Sequence, residues 1–421
     1  MRTVIPALEY DRYCAEWNKV RRAGYAAYNV DTFADGRRYL SLVVLALTLE
    51  EIGQLRNITC HASRLLNLAV KGILDDPEWW SALAWPWAAI EFARQEPPHP
   101  NGQATLFGRF DCLLDQDGDW QVIEYNADTP SGGREAVGLE PPIARLHPQL
   151  HRPRPGLGPK LATTLIQRIR EHPTPVKVVG VVSTHRWLED IAQANWLAAL
   201  LCRTGQPALV GDVNDLVVQR GRVLLRGQPI DALYRFYPVE RLYRHPIFAG
   251  LCEASIDGRL LLLNGLRGFL AQSKACLAWL HANRSTLAPS DRRMIERHVP
   301  RTVMALDPSA TGLVRDGVVK HVNGREGDSV VFGQSLDSAA WEARLLEGGY
   351  VVQRVVQSKV VDDIEVDDVQ HEVRRISGRH ACVGAFSVGG TFAGCYTRLD
   401  GPITSSRATY AATLADLEPD A

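Results

Sequence analysis

The sequence has no cysteine framework. Its eight cysteines fall at irregular spacing, with no C-x-x-C pair and no Cys/His cluster. That pattern argues against zinc and against a disulfide scaffold. An excess of one charge sign is also missing. The formal net charge is −1, which leaves no broad basic face for general nucleic-acid binding. The first residues, MRTVIPALEYDRYCAEW, lack the apolar core of a signal peptide. The most apolar early run, residues 40–49, is about half a membrane span and meets Glu50 and Glu51. There is no internal repeat. These absences point to a soluble chain in the cytoplasm, with neither nucleic acid nor membrane as partner.

The composition, 46% hydrophobic and 23% charged over 421 residues, is that of a globular protein with room for two or three domains. Residues 1–95 read as mostly helical. YLSLVVLALTLEEIGQL and ASRLLNLAVKGIL carry apolar residues at three- and four-residue spacing. The tryptophans of 79–87 read as core. Two strands are expected within 104–127, then a Pro-rich boundary at 146–159. A β-α-β succession over about 176–240 predicts a small parallel sheet. No G-x-G-x-x-G follows its first strand, which disfavours a dinucleotide fold. A helix is expected at about 265–282, and strands with Gly-rich turns at 302–356.

The stretch TLFGRFDCLLDQDGDWQVIEYNAD reads as a hairpin turning at Asp117-Gly118, a type I′ dipeptide. With a two-residue loop there, Asp111 lies opposite Glu124 and Arg109 opposite Asn126. Alternation then sends these four side chains to one face, and Phe110, Cys112, Ile123 and Tyr125 to the other. Two directly opposed carboxylates are destabilising unless one is protonated or a cation sits between them. Without a cation, at least one carboxyl pKa is expected to be raised. Asp, Glu and Asn oxygens are hard ligands suited to Mg²⁺, and Arg109 can neutralise a phosphate oxygen. The hairpin predicts a metal–phosphate platform.

Such a platform needs donors for the phosphates. Lys320 ends a strand and is followed by Gly324-Arg325-Glu326-Gly327, whose glycines let backbone N–H groups approach phosphate oxygens. Alone, that loop is equally an ordinary hairpin turn. Lys274 lies in the mostly apolar LAQSKACLAWL, where a lysine also snorkels to solvent. Arg398, near a strand end, reads by itself as a surface charge. Gln353 interrupts an apolar strand at 350–356.

Taken in order, R-F-D (109–111), E-Y-N-A-D (124–128), S-K-A (273–275), K-x-x-x-G-R-E-G (320–327) and T-R (397–398) resemble one family. They are similar to the synthetase domain of glutathionylspermidine synthase, an ATP-grasp ligase of circularly permuted order. The resemblance spans about residues 100–400. It implies a mixed α/β ATP-grasp fold, a small parallel-sheet pre-ATP-grasp domain and a helical N-terminal region. The implied segments are 1–100 (helical), 101–160 (the hairpin), 161–262 (substrate domain), 263–375 (lysines and glycine-rich lid) and 376–421 (a strand segment returning to the site). It implies Asp111, Glu124 and Asn126 as Mg²⁺ ligands, and Lys274 and Lys320 as phosphate lysines. It also implies Gly324, Arg325, Glu326 and Gly327 as a flexible lid over ATP, with Gln353 in the segment lining the adenine pocket. Arg109 and Arg398 match arginines near the transferred phosphate. Thr129 and Ser131 match hydroxyls facing the acyl substrate. The amidase domain of some members has no counterpart here, so amide cleavage is not expected.

The expected activity is an ATP-dependent carboxylate–amine ligase acting on small molecules through an acyl phosphate. An ATP-grasp kinase and a non-catalytic nucleotide-binding scaffold are the alternatives. No Ser-His-Asp or Cys-His arrangement competes. Ser183, His185 and Asp190 are too close in one strand-to-helix turn, which reads as a substrate-facing loop. The acidic run 360–372 reads as a solvated face, with a cationic amine as its other possible partner.

Overall fold

In the computed structural model the described residues are 1–30, 32–34, 36–153, 156–313, 316–325, 327, 329–346 and 348–417. They form a mixed α/β structure around an eight-stranded sheet. Its strands run in the order Arg2–Val4, Leu40–Thr48, Thr409–Asp416, Thr391–Asp400, Glu372–Val388, Phe107–Leu114, Trp120–Asn126. Val360–Asp367 pairs with the outer half of the long Glu372–Val388 strand. The inner half of that strand pairs with Phe107–Leu114. Leu40–Thr48 is parallel to Thr409–Asp416, and the other pairings are antiparallel.

Leu40–Leu47 is therefore a strand, where the apolar spacing reads as helix. All eight residues are buried, and a run buried on both faces carries no polar face from which to read its period. The helix begins only at Leu49 and continues to Asp75. Thr48 and Glu51 close its N-terminus reciprocally: Glu51 N–H donates to Thr48 Oγ1 at 3.1 Å, and Thr48 N–H donates to Glu51 Oε2 at 2.9 Å. Ile52, Leu55, Ile58, Ala62, Leu65, Leu66, Ala69, Val70 and Ile73 then lay its apolar stripe against the core. Trp85 is in the core, whereas Trp87 is 63% exposed.

The parallel sheet is present, ordered Leu261–Leu262, Ala232–Arg235, Val179–Ser183, Ala208–Asp212. A second four-stranded sheet, Thr302–Met304, Tyr350–Arg354, Gly317–His321, Val331–Phe332, is antiparallel. It has its own small core around Val303, Val319, Trp341 and Val352. Helix Ser338–Leu346 lies within the segment expected as strands and turns. The helix expected at 265–282 is two helices, Leu266–Gln272 and Ala275–Asn283. They break where Ser273 turns extended and the Lys274 N–H donates to the Val322 carbonyl at 2.9 Å. No helix among the described residues is long and apolar enough to cross a membrane.

The acidic run is largely self-neutralised. Asp362 pairs with Arg375, Asp367 with Arg374 and Asp368 with Arg38. Asp363 is buried against Thr409. None of these carboxylates lines the main cleft.

Candidate active site

The hairpin loop is one residue longer than the I′ reading. Gly118, in the left-handed region, donates its N–H to the Asp115 carbonyl at 3.1 Å, and Asp115 N–H donates to the Asp119 carbonyl at 3.0 Å. The inner pairs, Leu114 with Trp120 and Cys112 with Val122, are accordingly shifted by one. A bulge at Ile123 cancels the shift, so Asp111 faces Glu124 and Arg109 faces Asn126 as expected. The bulge has a second consequence. Ile123 is not on the face opposite Glu124 but lines the same cleft.

That cleft, about 1500 Å³, lies between the end of the main sheet, the antiparallel sheet and the parallel sheet. Its wall is dominated by Asp111, which is 3% exposed. Arg109 Nε and Nη2 donate to the two Asp111 oxygens at 2.6 and 2.9 Å. Arg398 Nη2 donates to Oδ2 at 2.8 Å, and Asn126 Nδ2 to Oδ2 at 3.1 Å. Burial alone pushes the Asp111 carboxyl up, but the Arg109 and Arg398 charges and these hydrogen bonds outweigh it and hold the pKa below the usual value. The expected raised carboxyl is thus not found at Asp111. Two guanidinium groups, neither a proton nor a metal, relieve the pair. The Arg398 Nε remains a buried donor with no hydrogen-bond partner among the described residues.

Room for this arrangement comes from two residues without a sequence signal. A Cβ at Gly384, the strand partner of Asp111, would lie 2.6 Å from Arg109 Cδ. The Tyr396 ring lies 5.3 Å from the Arg109 guanidinium and 5.8 Å from that of Arg398. Arg109 Nη1 also donates to the Ser131 carbonyl at 2.9 Å and to its Oγ at 3.3 Å.

Lys320 lines the cleft, and Lys274 lies against two residues that line it, Glu124 and Gly324. Lys274, 4% exposed, sits at the start of its helix and does not snorkel. Its Nζ donates to the Gly324 carbonyl at 2.9 Å and lies 3.2 Å from Glu124 Oε2. Lys320 Nζ donates to Gln353 Oε1 at 2.7 Å. Burial, with the neighbouring Lys274 charge, brings the Lys320 pKa down to about 8 despite Glu124.

Arg325 is anchored toward the other side of the cleft. It donates to Glu240 at 2.6 Å, Asp128 at 2.8 Å and Thr129 Oγ1 at 2.9 Å. Asp128 is fully buried. It also forms an ion pair with Arg235 at 2.5 Å and accepts from Val239 N–H at 3.0 Å. The aspartate that closes E-Y-N-A-D thus joins hairpin, glycine loop and parallel sheet, a role the motif alone does not disclose. Gly327 takes positive φ beside Ile403 and Thr404. Glu326 lies outside the described residues. Trp187, Glu189 and Asp190 of the strand-to-helix turn line the cleft, whereas Ser183 is buried, so these residues face the cleft without forming a triad.

Among the described residues, no three His, Cys, Asp or Glu side chains cluster to hold a metal. The expected ligand set has two carboxylates and an amide. Asn126 donates its Nδ2 to Asp111, so the oxygen is the atom it has to offer a cation. Two carboxylates and an amide oxygen on one wall are the ligand types a hard divalent ion takes, and at Asp111 the ion would take the place of one of the donors from Arg109, Arg398 or Asn126.

Three comparisons bear on this geometry. The family model described as glutathionylspermidine synthase pre-ATP-grasp matches residues 12–415. A glutathione synthetase-like effector from Globodera pallida, in its apo form, superposes with a TM-score of 0.67 at 11% identity, over 98% of this chain and 99% of that one. It shares the fold. A putative gamma-glutamylcysteine synthetase from Methylobacillus flagellatus gives 0.42 at 10% identity over 80% and 82%. D-cycloserine synthetase gives 0.31 at 18% identity over 57% and 92%. No curated protein matches the sequence.

Proposed function

The chain belongs to the glutathionylspermidine synthase pre-ATP-grasp family, and from that premise we propose that it is an ATP-dependent carboxylate–amine ligase. In this reading the γ-phosphoryl group of ATP passes to a substrate carboxylate, giving an acyl phosphate and ADP. An amine then attacks the acyl carbon, phosphate leaves, and an amide forms. The observation that carries the reading is Asp111, held by Arg109 and Arg398 directly across from Glu124, with Lys320 on the same cleft and Lys274 beside Glu124.

Asp111, Glu124 and Asn126 would hold Mg²⁺, whose chemistry is to neutralise phosphate oxygens. Lys274 and Lys320 would hold the nucleotide phosphates beneath the covering loop that bears Gly324 and Gly327. Arg398, whose buried Nε lacks a partner among the described residues, and Arg109 would face the transferred phosphoryl group. Arg325 is directed to Asp128, Thr129 and Glu240, which supports a role in joining the loop to the substrate side. Ser131 and Thr129 would face the acyl group. The parallel-sheet segment 161–262 would contribute the substrate wall through the turn bearing Trp187.

The test is a screen of carboxylic acids and amines for dependent nucleotide cleavage, with products read by mass spectrometry. ADP released in step with an amide, and a hydroxamate when hydroxylamine replaces the amine, are expected. AMP release would indicate an adenylating enzyme. A stable phosphorylated product without amide would indicate a kinase. No nucleotide binding at all would rule out both.

A further inference from the structure

A buried chain of polar side chains runs across three neighbouring strands beneath the cleft. Thr302 pairs with Gln353, and Gln353 with Val318, two residues before Lys320. Thr302, Gln353 and Lys320 are 0%, 2% and 8% exposed.

The direction of every bond in the chain is set by chemistry. A protonated lysine has donors only, so the atom 2.7 Å from Lys320 Nζ must be the amide oxygen of Gln353. Gln353 Nε2 then points the other way, to Thr302 Oγ1 at 3.0 Å and the Ile123 carbonyl at 3.4 Å. Thr302 has a single hydroxyl proton, and it goes to the Pro300 carbonyl at 2.8 Å. What Thr302 shows Gln353 is therefore a lone pair. A flipped amide would set N–H against the ammonium and oxygen against two acceptors. Thr302 thus decides which end of Gln353 meets Lys320.

Packing alone does not require this chain. The adjacent Val351 and Val352 fill the same strand with apolar volume, and a buried amide is costly unless all its bonds are made. Both Nε2 protons of Gln353 are used within the protein, which leaves none to read a nucleotide base.

We propose that Gln353 and Thr302 are positioning residues for the nucleotide, acting through Lys320 by holding its ammonium at one point in the cleft. The proposal rests on the ATP-dependent reading above.

The test uses the full chain, Mg²⁺ and the non-hydrolysable analogue AMP-PNP, with binding followed by calorimetry and folding by thermal melting. Thr302→Val and Gln353→Leu are each expected to weaken binding about tenfold, the scale of one hydrogen bond to a charged group. Thr302→Ser, which keeps the hydroxyl, should bind like wild type. In a Lys320→Met background, Thr302→Val should add nothing, because the group it positions is gone. Thr302→Ala replaces the valine variant should that one fail to melt cooperatively. Wild-type affinity in a folded Thr302→Val or Gln353→Leu protein overturns the proposal. So does an undiminished loss in the Lys320→Met background. A wild-type protein that does not bind AMP-PNP overturns the ATP-dependent reading with it, whereas binding that is indifferent to these variants overturns this proposal alone.

Discussion

Arg398 reaches past its strand partner Cys382 to place Nη2 2.8 Å from Asp111 Oδ2, linking residues 287 positions apart. Asp111 retains Arg109 and Asn126 if Arg398 is removed, so the cleft wall should survive its loss. In a phosphoryl transfer, charge spreads over oxygens that a cation alone does not cover. Arg398→Ala should therefore bind Mg²⁺-ATP about as wild type does, yet lose about a hundredfold in turnover. Steady-state ADP release with a competent acid and amine, set beside calorimetric ATP affinity, checks this. Equal losses in both would assign Arg398 to ground-state binding.

Gly384 offers a subtler lever on the same carboxylate. Its added Cβ would meet Arg109 Cδ at 2.6 Å, and Arg109 is buried with both its Asp111 and Ser131 contacts made. Alanine suits a strand backbone, so the fold should persist while Arg109 is displaced. Gly384→Ala should lower turnover about tenfold or more, the scale of lost positioning, and lower the melting temperature as well, because the buried Arg109–Asp111 pair is disturbed. A fully active Gly384→Ala enzyme would show that the position of Arg109 is not critical.

Asp128 joins three parts of the molecule through buried charge. Asp128→Ala leaves Arg235, 2% exposed, without its counter-charge and frees Arg325 from one of its anchors. Breaking a buried pair from one side costs about 3–5 kcal/mol. Urea denaturation should show a loss of that order, and limited proteolysis should cut more readily near residue 325. A loss below about 1 kcal/mol, the scale of an exposed pair, would mean that water reaches Asp128.

Glu140 gives the fold a pH dependence of its own. It is 5% exposed, and burial, only partly offset by Arg152 at 2.7 Å, pushes its pKa up from 4.5 to about 7. Between those values the unfolded chain has released a proton that the folded chain still holds. The contribution of Glu140 to stability therefore falls as pH rises through 4.5 to 7, by at most about 1.4 kcal/mol per pH unit. Glu140→Gln stays neutral and should flatten the slope. Denaturation midpoints for both proteins at either end of the window measure the difference. Parallel pH profiles would contradict the assignment.

Much of the site was legible because its signals are local. Alternation along 122–126 and the turn residues at 117–118 place Asp111 opposite Glu124, although the loop is longer than a two-residue turn. That success depended on a bulge at Ile123 that no residue pattern announced, and the same bulge turned Ile123 into the cleft. The parallel sheet was equally readable, since each strand is a short apolar run with a helix or turn beside it.

Other features depend on residues that meet only after folding. Leu40–Leu47 was indistinguishable from a helix until Thr409–Asp416 paired beside it, because a run buried on both faces has no polar side to betray its period. The partners of Asp111, the clamp on Arg325 and the Thr302–Gln353–Lys320 chain join side chains from strands and loops distant in sequence. By itself the sequence determined which residue types were available and which side of its own hairpin each would face, since backbone geometry repeats over two residues. Only the tertiary structure decided which charges neutralise one another, because hydrogen bonds and ion pairs act over a few ångströms and the chain alone does not say which distant residues will come that close.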